Sequence, residues 1–170
     1  TDKTINELVK ACFDMGEVRT GALIVIEQNI RLSEYERTGI NVDAVLTSQL
    51  LINIFEHNTP LHDGAVFIRN QRIVAATCYL PLSDNMDISK ALGTRHRAAV
   101  GVSEATDSVT LVVSEETGRV SVAVSGRLKS VKDGDELRDM LSVLVKRETE
   151  NTGRFRIWKG RHRNERKADE

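Results

Sequence analysis

Aromatic residues make up only 4% of this 170-residue chain. Few flat side chains are therefore available to stack on bases, which disfavours an RNA-binding module built on aromatic platforms. Cysteine occurs twice, as Cys12 and Cys78, without metal-type spacing. Both fall in apolar patterns, so buried free thiols in a reducing compartment are expected. No apolar run approaches the ~18 residues of a membrane span. The longest compact one is Ala22 to Ile26. There is no signal-peptide pattern and no internal repeat. The formal net charge of −1 supplies no overall field for nucleic acid or a membrane. Also missing are the Gly-x-x-x-x-Gly-Lys loop, the Gly-x-Gly-x-x-Gly turn and the Gly-x-Ser-x-Gly elbow. A Walker-type ATPase, a dinucleotide fold and an α/β-hydrolase are thus not indicated.

What is present describes one globular domain: 40% of residues are hydrophobic and 29% charged. Thr4-x-x-Glu7 reads as a capping box for a first helix carrying Ile5, Leu8, Val9, Cys12 and Phe13 on one face, with Gly16 able to end it. Ala22 to Ile26 reads as a strand buried on both faces, hence part of a sheet covered by helices. Ile30 to Thr38 suits a short helix, and Gly39 to Ala44 reads as a connection. Thr47 caps a helix with the stripe Leu46, Leu50, Leu51, Ile54 and Phe55. Strands over 65–69 and 72–79 flank Asn70-Gln71, a plausible hairpin turn because Asn tolerates positive φ. Residues 86–92 read as partly helical. Thr94 is a candidate cap for a helix with the small apolar face Ala98, Ala99, Val102 and Ala105. Strands follow at 109–114 and 119–124. A last helix, capped by Asp133 or Asp135, carries Leu137, Met140, Leu141, Leu144 and Val145. The domain is expected over 1–150. Residues 151–170 form a tail rich in base (Arg154, Arg156, Lys159, Arg161, Arg163, Arg166, Lys167), expected to be weakly ordered and solvated.

Two stretches carry chemistry. In Asn58-Thr59-Pro60-Leu61-His62-Asp63-Gly64-Ala65, Pro60 biases Thr59 away from helix and Gly64 lets backbone approach a ligand. His62 and Asp63 can bind a metal at the mouth of a strand. A plain helix-to-strand turn, with Asp63 and Asn58 bonding backbone, uses the same residues. In Gly93-Thr94-Arg95-His96-Arg97, free backbone N–H groups and the positive helix end make an anion site. Cations there oppose the dipole, at a cost of roughly 0.3–1 kcal/mol each. The cluster therefore calls for a compensating anion, and phosphate fits the fork of arginine.

Together, Asp63-Gly64-Ala65 and Arg95-His96-Arg97 resemble the paired DGA and RHR motifs of the diadenylate cyclase (DAC) domain family. Residues 46–55, Thr59-Pro60-Leu61-His62 and 93–99 resemble its membrane-associated bacterial class, and the resemblance extends over most of residues 1–150. It implies an α/β domain with a twisted, mixed β-sheet flanked by helices. It also implies condensation of two ATP into cyclic di-AMP plus two pyrophosphates, dependent on a divalent metal (Mg2+ or Mn2+), at a face-to-face homodimer interface. That class has N-terminal transmembrane helices, so this chain is expected to be a soluble catalytic fragment of a protein at the cytoplasmic face of the membrane. A membrane-bound regulator and phosphoglucosamine mutase are the partners it implies.

Asp63 is expected near the attacking 3′-hydroxyl. An ordinary aspartate, titrating near ~3.9, is a poor base for a sugar hydroxyl, which favours a metal-ligand role. His62 is the candidate second ligand. Gly64 and Ala65 would let ribose and phosphate approach the backbone. Gly93, Thr94, Arg95, His96 and Arg97 would hold phosphates, with Arg95 or Arg97 stabilising transition-state charge. By resemblance Tyr79 stacks on adenine and Leu80 borders it, although a strand-end core tyrosine is an equal reading. Ser114 and Glu116 either reach the phosphates or metal or simply form a turn. A module that senses ATP or cyclic di-AMP without turnover is the alternative function.

Overall fold

The computed structural model describes residues 2–145. The tail expected over 151–170 lies outside the described residues. Helix α1 (Asp2–Glu17) leads to strand β1 (Ala22–Ile26), the short helix α2 (Ser33–Glu36), strand β2 (Ile40–Val45) and helix α3 (Ser48–Phe55). Strands β3 (Ala65–Arg69) and β4 (Arg72–Cys78) follow, then α4 (Thr94–Ala105), β5 (Val109–Val113), β6 (Val120–Val124), β7 (Arg127–Ser130) and α5 (Gly134–Leu144).

The seven strands form one sheet in the order β2-β4-β3-β1-β5-β6-β7. Only β1 and β3 run parallel; every other pairing is antiparallel, which makes the sheet mixed. β1 lies at the centre and is buried throughout, as its unbroken apolar run requires. Its alternate residues feed two cores. Ile24 and Ile26 join Leu8, Met15, Leu51, Phe55 and Leu137 beneath α1, α3 and α5. Leu23 and Val25 join Phe67, Ala98, Ala99 and Val102 beneath α4. Small residues on α4 let that helix lie close to the sheet.

Two caps behave as their residue types require. The Thr47 side chain accepts the Leu50 N–H, and Asp133 accepts the Glu136 N–H. Asn70 turns the β3–β4 hairpin at φ 56°. Other expectations are corrected. Residues 40–45 are edge strand β2 rather than a connection; the strand is largely exposed and bulged, with Asp43 at φ 48°, so no apolar alternation marks it. Strand β7 was not expected, because Arg127-Leu128-Lys129-Ser130 is a polar edge. Helix α1 already runs through Thr4, so there is no capping box; the Glu7 carboxylate instead accepts the Ser48 N–H and ties α1 to α3. Residues 86–92 form turns, not helix. Gly93, not Thr94, is the N-cap of α4. Among the described residues, no helix is long and apolar enough to cross a membrane.

Candidate nucleotide site

One end of the sheet gathers the chemistry. Register pairs Ala22 with Val113, Ala65 with Cys78, and Val113 with Val120, so the starts of β1, β3 and β6 meet the ends of β4 and β5. The first turn of α4 closes over the same end. Between them opens a cavity of about 1300 Å³. Its wall carries His62, Asp63, Gly64, Tyr79, Leu80, Gly93, Thr94, Arg95, His96, Ser114 and Glu116. The two stretches singled out from sequence are thus brought to one place, far apart in the chain but neighbours at the sheet end.

Backbone strain shapes the wall. Between Ala65↔Cys78 and Phe67↔Ala75 the β4 strand carries an extra residue, and Thr77 takes φ 56°. A β-branched residue at positive φ is uncommon, and here it bulges the strand so that Tyr79 and Leu80 turn to the cavity. Gly64 sits at φ 81° directly against this bulge; a Cβ there would lie 2.8 Å from the Thr77 carbonyl carbon. Tyr79 is 74% exposed, which removes its reading as a core aromatic.

His62 is held by its own loop. Its Nδ1 lies 2.6 Å from the Thr59 carbonyl oxygen. A carbonyl only accepts, so Nδ1 carries a proton, and in the neutral ring it is Nε2 that offers a lone pair. That Nε2 faces Asp63 Oδ1 at 3.3 Å. Two lone-pair donors facing one another invite a proton or a cation between them. The fit to a divalent cation is therefore sound in donor chemistry, with the histidine oriented through its second nitrogen as metal-binding histidines are. Among the described residues no cluster of three or more such side chains is poised for a metal, and this loop offers a pair. The Asp63 side chain is 86% exposed and opens outward.

At the α4 end, Arg95 lies against Gly21, whose missing Cβ would strike the guanidinium, and pairs with Glu115 across 3.4 Å. Glu115 thus supplies part of the compensating negative charge that the basic helix start requires. His96 is buried, and burial pushes its pKa down, helped by the Arg95 charge and opposed by Glu116. It is mostly uncharged near neutrality, which further lowers the cost of the cluster. Ser114 both faces the cavity and holds its own turn, since its hydroxyl accepts the Glu116 and Thr117 N–H groups.

Ala65 and Arg97 do not reach the wall. Ala65 is fully buried at the start of β3, and the Arg97 carbonyl accepts the Ser83 N–H. Sequence reasoning missed Arg19, His57, Glu115, Thr117, Arg119 and Ser121, all on the wall. Arg119 was findable, because it ends the turn that holds Ser114 and Glu116. Arg19 had no signal, lying in an unremarkable link after α1.

The family model described as DAC, DisA bacterial checkpoint controller nucleotide-binding, matches residues 9–128. The chain belongs to the DAC family. It is 52% identical over 160 residues to the cyclic di-AMP synthase CdaA of Bacillus subtilis, covering 94% of this chain and 59% of that protein. It is 47% identical over 157 residues to a diadenylate cyclase of Listeria monocytogenes, covering 92% and 58% respectively. This DAC chain therefore spans a little under three fifths of the length of these curated relatives. Its fold matches a crystal structure of a double mutant of DacA from Staphylococcus aureus with a TM-score of 0.80 and 48% identity, over 82% of this chain and 93% of the other.

Proposed function

We propose that this DAC chain is the catalytic part of a diadenylate cyclase, joining two ATP molecules into cyclic di-AMP and releasing two pyrophosphates. The observation that carries this reading is the single cavity that unites His62-Asp63-Gly64 with Gly93-Thr94-Arg95-His96. The cyclase names of its relatives at 52% and 47% identity support it.

The chemistry asks for geometry more than for covalent help. Each 3′-hydroxyl must attack the α-phosphorus of the other nucleotide, so one site holding one ATP is half of the reaction centre. Two chains facing each other across their open cavities complete it, and the outward exposure of Asp63 and Tyr79 suits such a homodimer. Thr94, Arg95 and the free N–H groups of the α4 start hold phosphate; Ser114 and Glu116 border it. Tyr79 stacks on adenine, with Leu80 beside the base. Gly64 lets the ribose come close to backbone, and Ala65 acts only through its buried main chain. Arg97, off the wall, enters only as a source of transition-state charge when two protomers face each other.

Asp63 and His62 would hold the divalent cation, Mg2+ or Mn2+. When bound, such an ion lowers the pKa of a coordinated hydroxyl and neutralises phosphate charge. Asp63 places the site next to the 3′-hydroxyl, and the loop carbonyl of Thr59 keeps His62 in the required tautomer. Positioning of this kind is worth as much as ~7–11 kcal/mol in well-aligned reactions.

Incubating the purified chain with ATP and either metal, over a range of protein concentrations, tests this. A cyclic di-AMP peak whose rate grows more than linearly with chain concentration is expected. ATP binding without any product under either metal would instead favour a sensing module.

A further inference from the structure

Resting on the reading above, we propose that Arg19 and Arg119 form a pyrophosphate subsite that receives the β- and γ-phosphates of the nucleotide and holds the leaving group. Both side chains line the cavity that contains Asp63 and Arg95. They come from segments far apart in the chain, Arg19 just beyond α1 and Arg119 just before β6. A close backbone approach brings these two segments together. A Cβ on Gly16 would stand 2.5 Å from the Gly118 carbonyl oxygen, so only glycines allow the contact. Arg19 is one turn beyond Gly16, with its N–H donating to the Gly16 carbonyl, and Arg119 directly follows Gly118. Arg19 takes φ 55°, a left-handed conformation that turns the chain out of the helix at this corner.

The charges on this wall are unequally committed. Arg95 is engaged by Glu115, and Glu116 faces His96. Among the described residues, Arg19 and Arg119 have no carboxylate partner within ion-pair distance. Both arginines are exposed on the cavity wall, where a shared anion can accept from the two guanidiniums in place of water. The C-terminal end of α1 accounts for a cation at Arg19, but nothing of that kind accounts for Arg119. The Thr117 hydroxyl beside them, which accepts the Arg119 N–H, also lies on the wall. A cavity of about 1300 Å³ exceeds what an adenosine and one phosphate fill.

The reaction places charge at this corner. As the 3′-oxygen of one nucleotide bonds to the α-phosphorus of the other, the bond from that phosphorus to its bridging oxygen breaks. The electron pair stays on the departing pyrophosphate, and the hydroxyl proton passes to water. Negative charge therefore grows on the β-phosphate in the transition state. Two arginine forks preset there stabilise it more than they stabilise bound ATP.

Calorimetric titration of the intact chain with AMP, ATP (as its 3′-deoxy form, which lacks the attacking hydroxyl and cannot react) and inorganic pyrophosphate, in Mg2+ buffer, tests the assignment. For the wild type, ATP is expected to bind more tightly than AMP, and pyrophosphate alone to bind. For the double variant Arg19→Ala/Arg119→Ala, ATP and pyrophosphate affinity should fall at least about tenfold, while AMP affinity stays within about twofold. The Arg19→Lys/Arg119→Lys variant keeps charge without the fork and should fall between. An ATP affinity unchanged in the alanine variant, or AMP and ATP falling equally, would overturn the subsite and leave the nucleotide site standing. A wild type that binds neither AMP nor ATP would overturn the nucleotide site itself.

Discussion

Gly64→Ala is the sharpest structural perturbation of the site. The residue sits at φ 81°, where an L-side chain costs roughly 1–2 kcal/mol. The added methyl would also lie 2.8 Å from the Thr77 carbonyl carbon, 2.9 Å from the Cys78 carbonyl oxygen and 3.0 Å from the Thr77 Cα. These are main-chain atoms of a strand paired on both sides, so none can swing away as a side-chain tip would. Overpacking of this kind costs typically ~1–3 kcal/mol. The two effects together give about 2–5 kcal/mol. At roughly 2–4 °C per kcal/mol for a domain of this size, the melting temperature should drop by about 4–20 °C. Relief by shifting the bulge would carry Tyr79 away from Asp63, so activity should fall further than stability does. Gly93→Ala is the control: nothing lies within 4 Å of its added methyl, and replacing a glycine N-cap costs at most about 1 kcal/mol. Thermal unfolding followed by far-ultraviolet circular dichroism reads both. A Gly64→Ala melting temperature within about 2 °C of wild type would refute the reasoning, because neither the positive φ nor the contact could then be real.

Three further outcomes are expected. Burial, aided by Arg95, holds the His96 pKa below its ordinary 6.5, so the unfolded chain binds that proton at a higher pH than the folded one. Stability contributed by neutral His96 is complete above pH 6.5 and is lost as pH falls below it; denaturant titration from pH 8 to 5 should show the loss, and His96→Gln should flatten it. Arg69 donates to both Glu27 and Glu36, and Glu27 is almost wholly buried, so Arg69→Met should destabilise by about 3 kcal/mol in urea unfolding through stranded carboxylates. Burial pushes the Cys12 and Cys78 thiols up to about 12, so a thiol-specific chromogenic reagent should label neither in the native chain and both after denaturation.

The inner parts of the fold were legible in sequence because their patterns have one physical cause. The run Ala22 to Ile26 could be satisfied only between two covered faces, and Thr47 and Asp133 stand where free helix N–H groups need oxygen. The edges were not legible. Strands β2 and β7 bury little, so their pairing is set by the backbone of β4 and β6 rather than by side-chain alternation. The site divides in the same way. His62, Asp63, Gly64 and Thr94 to His96 stood out because charge and glycine cluster locally. Arg19 and Arg119 join them only through a contact between two distant glycines, which single-sequence periodicity does not encode. The bulge at Thr77 was equally hidden, since threonine is an ordinary strand residue and its positive φ comes with its place as the extra residue between Ala65↔Cys78 and Phe67↔Ala75.

The most direct test of the account is the stoichiometry of ATP turnover by this chain and its Asp63→Asn variant. With Mg2+ or Mn2+ and protein at a concentration that permits pairing, one pyrophosphate should appear for each ATP consumed, with one cyclic di-AMP for every two. Asp63→Asn should form no product while keeping much of its ATP affinity. Unchanged turnover by Asp63→Asn would remove that carboxylate from the mechanism, and ATP bound by the wild type with no pyrophosphate released would contradict the assignment of a cyclase.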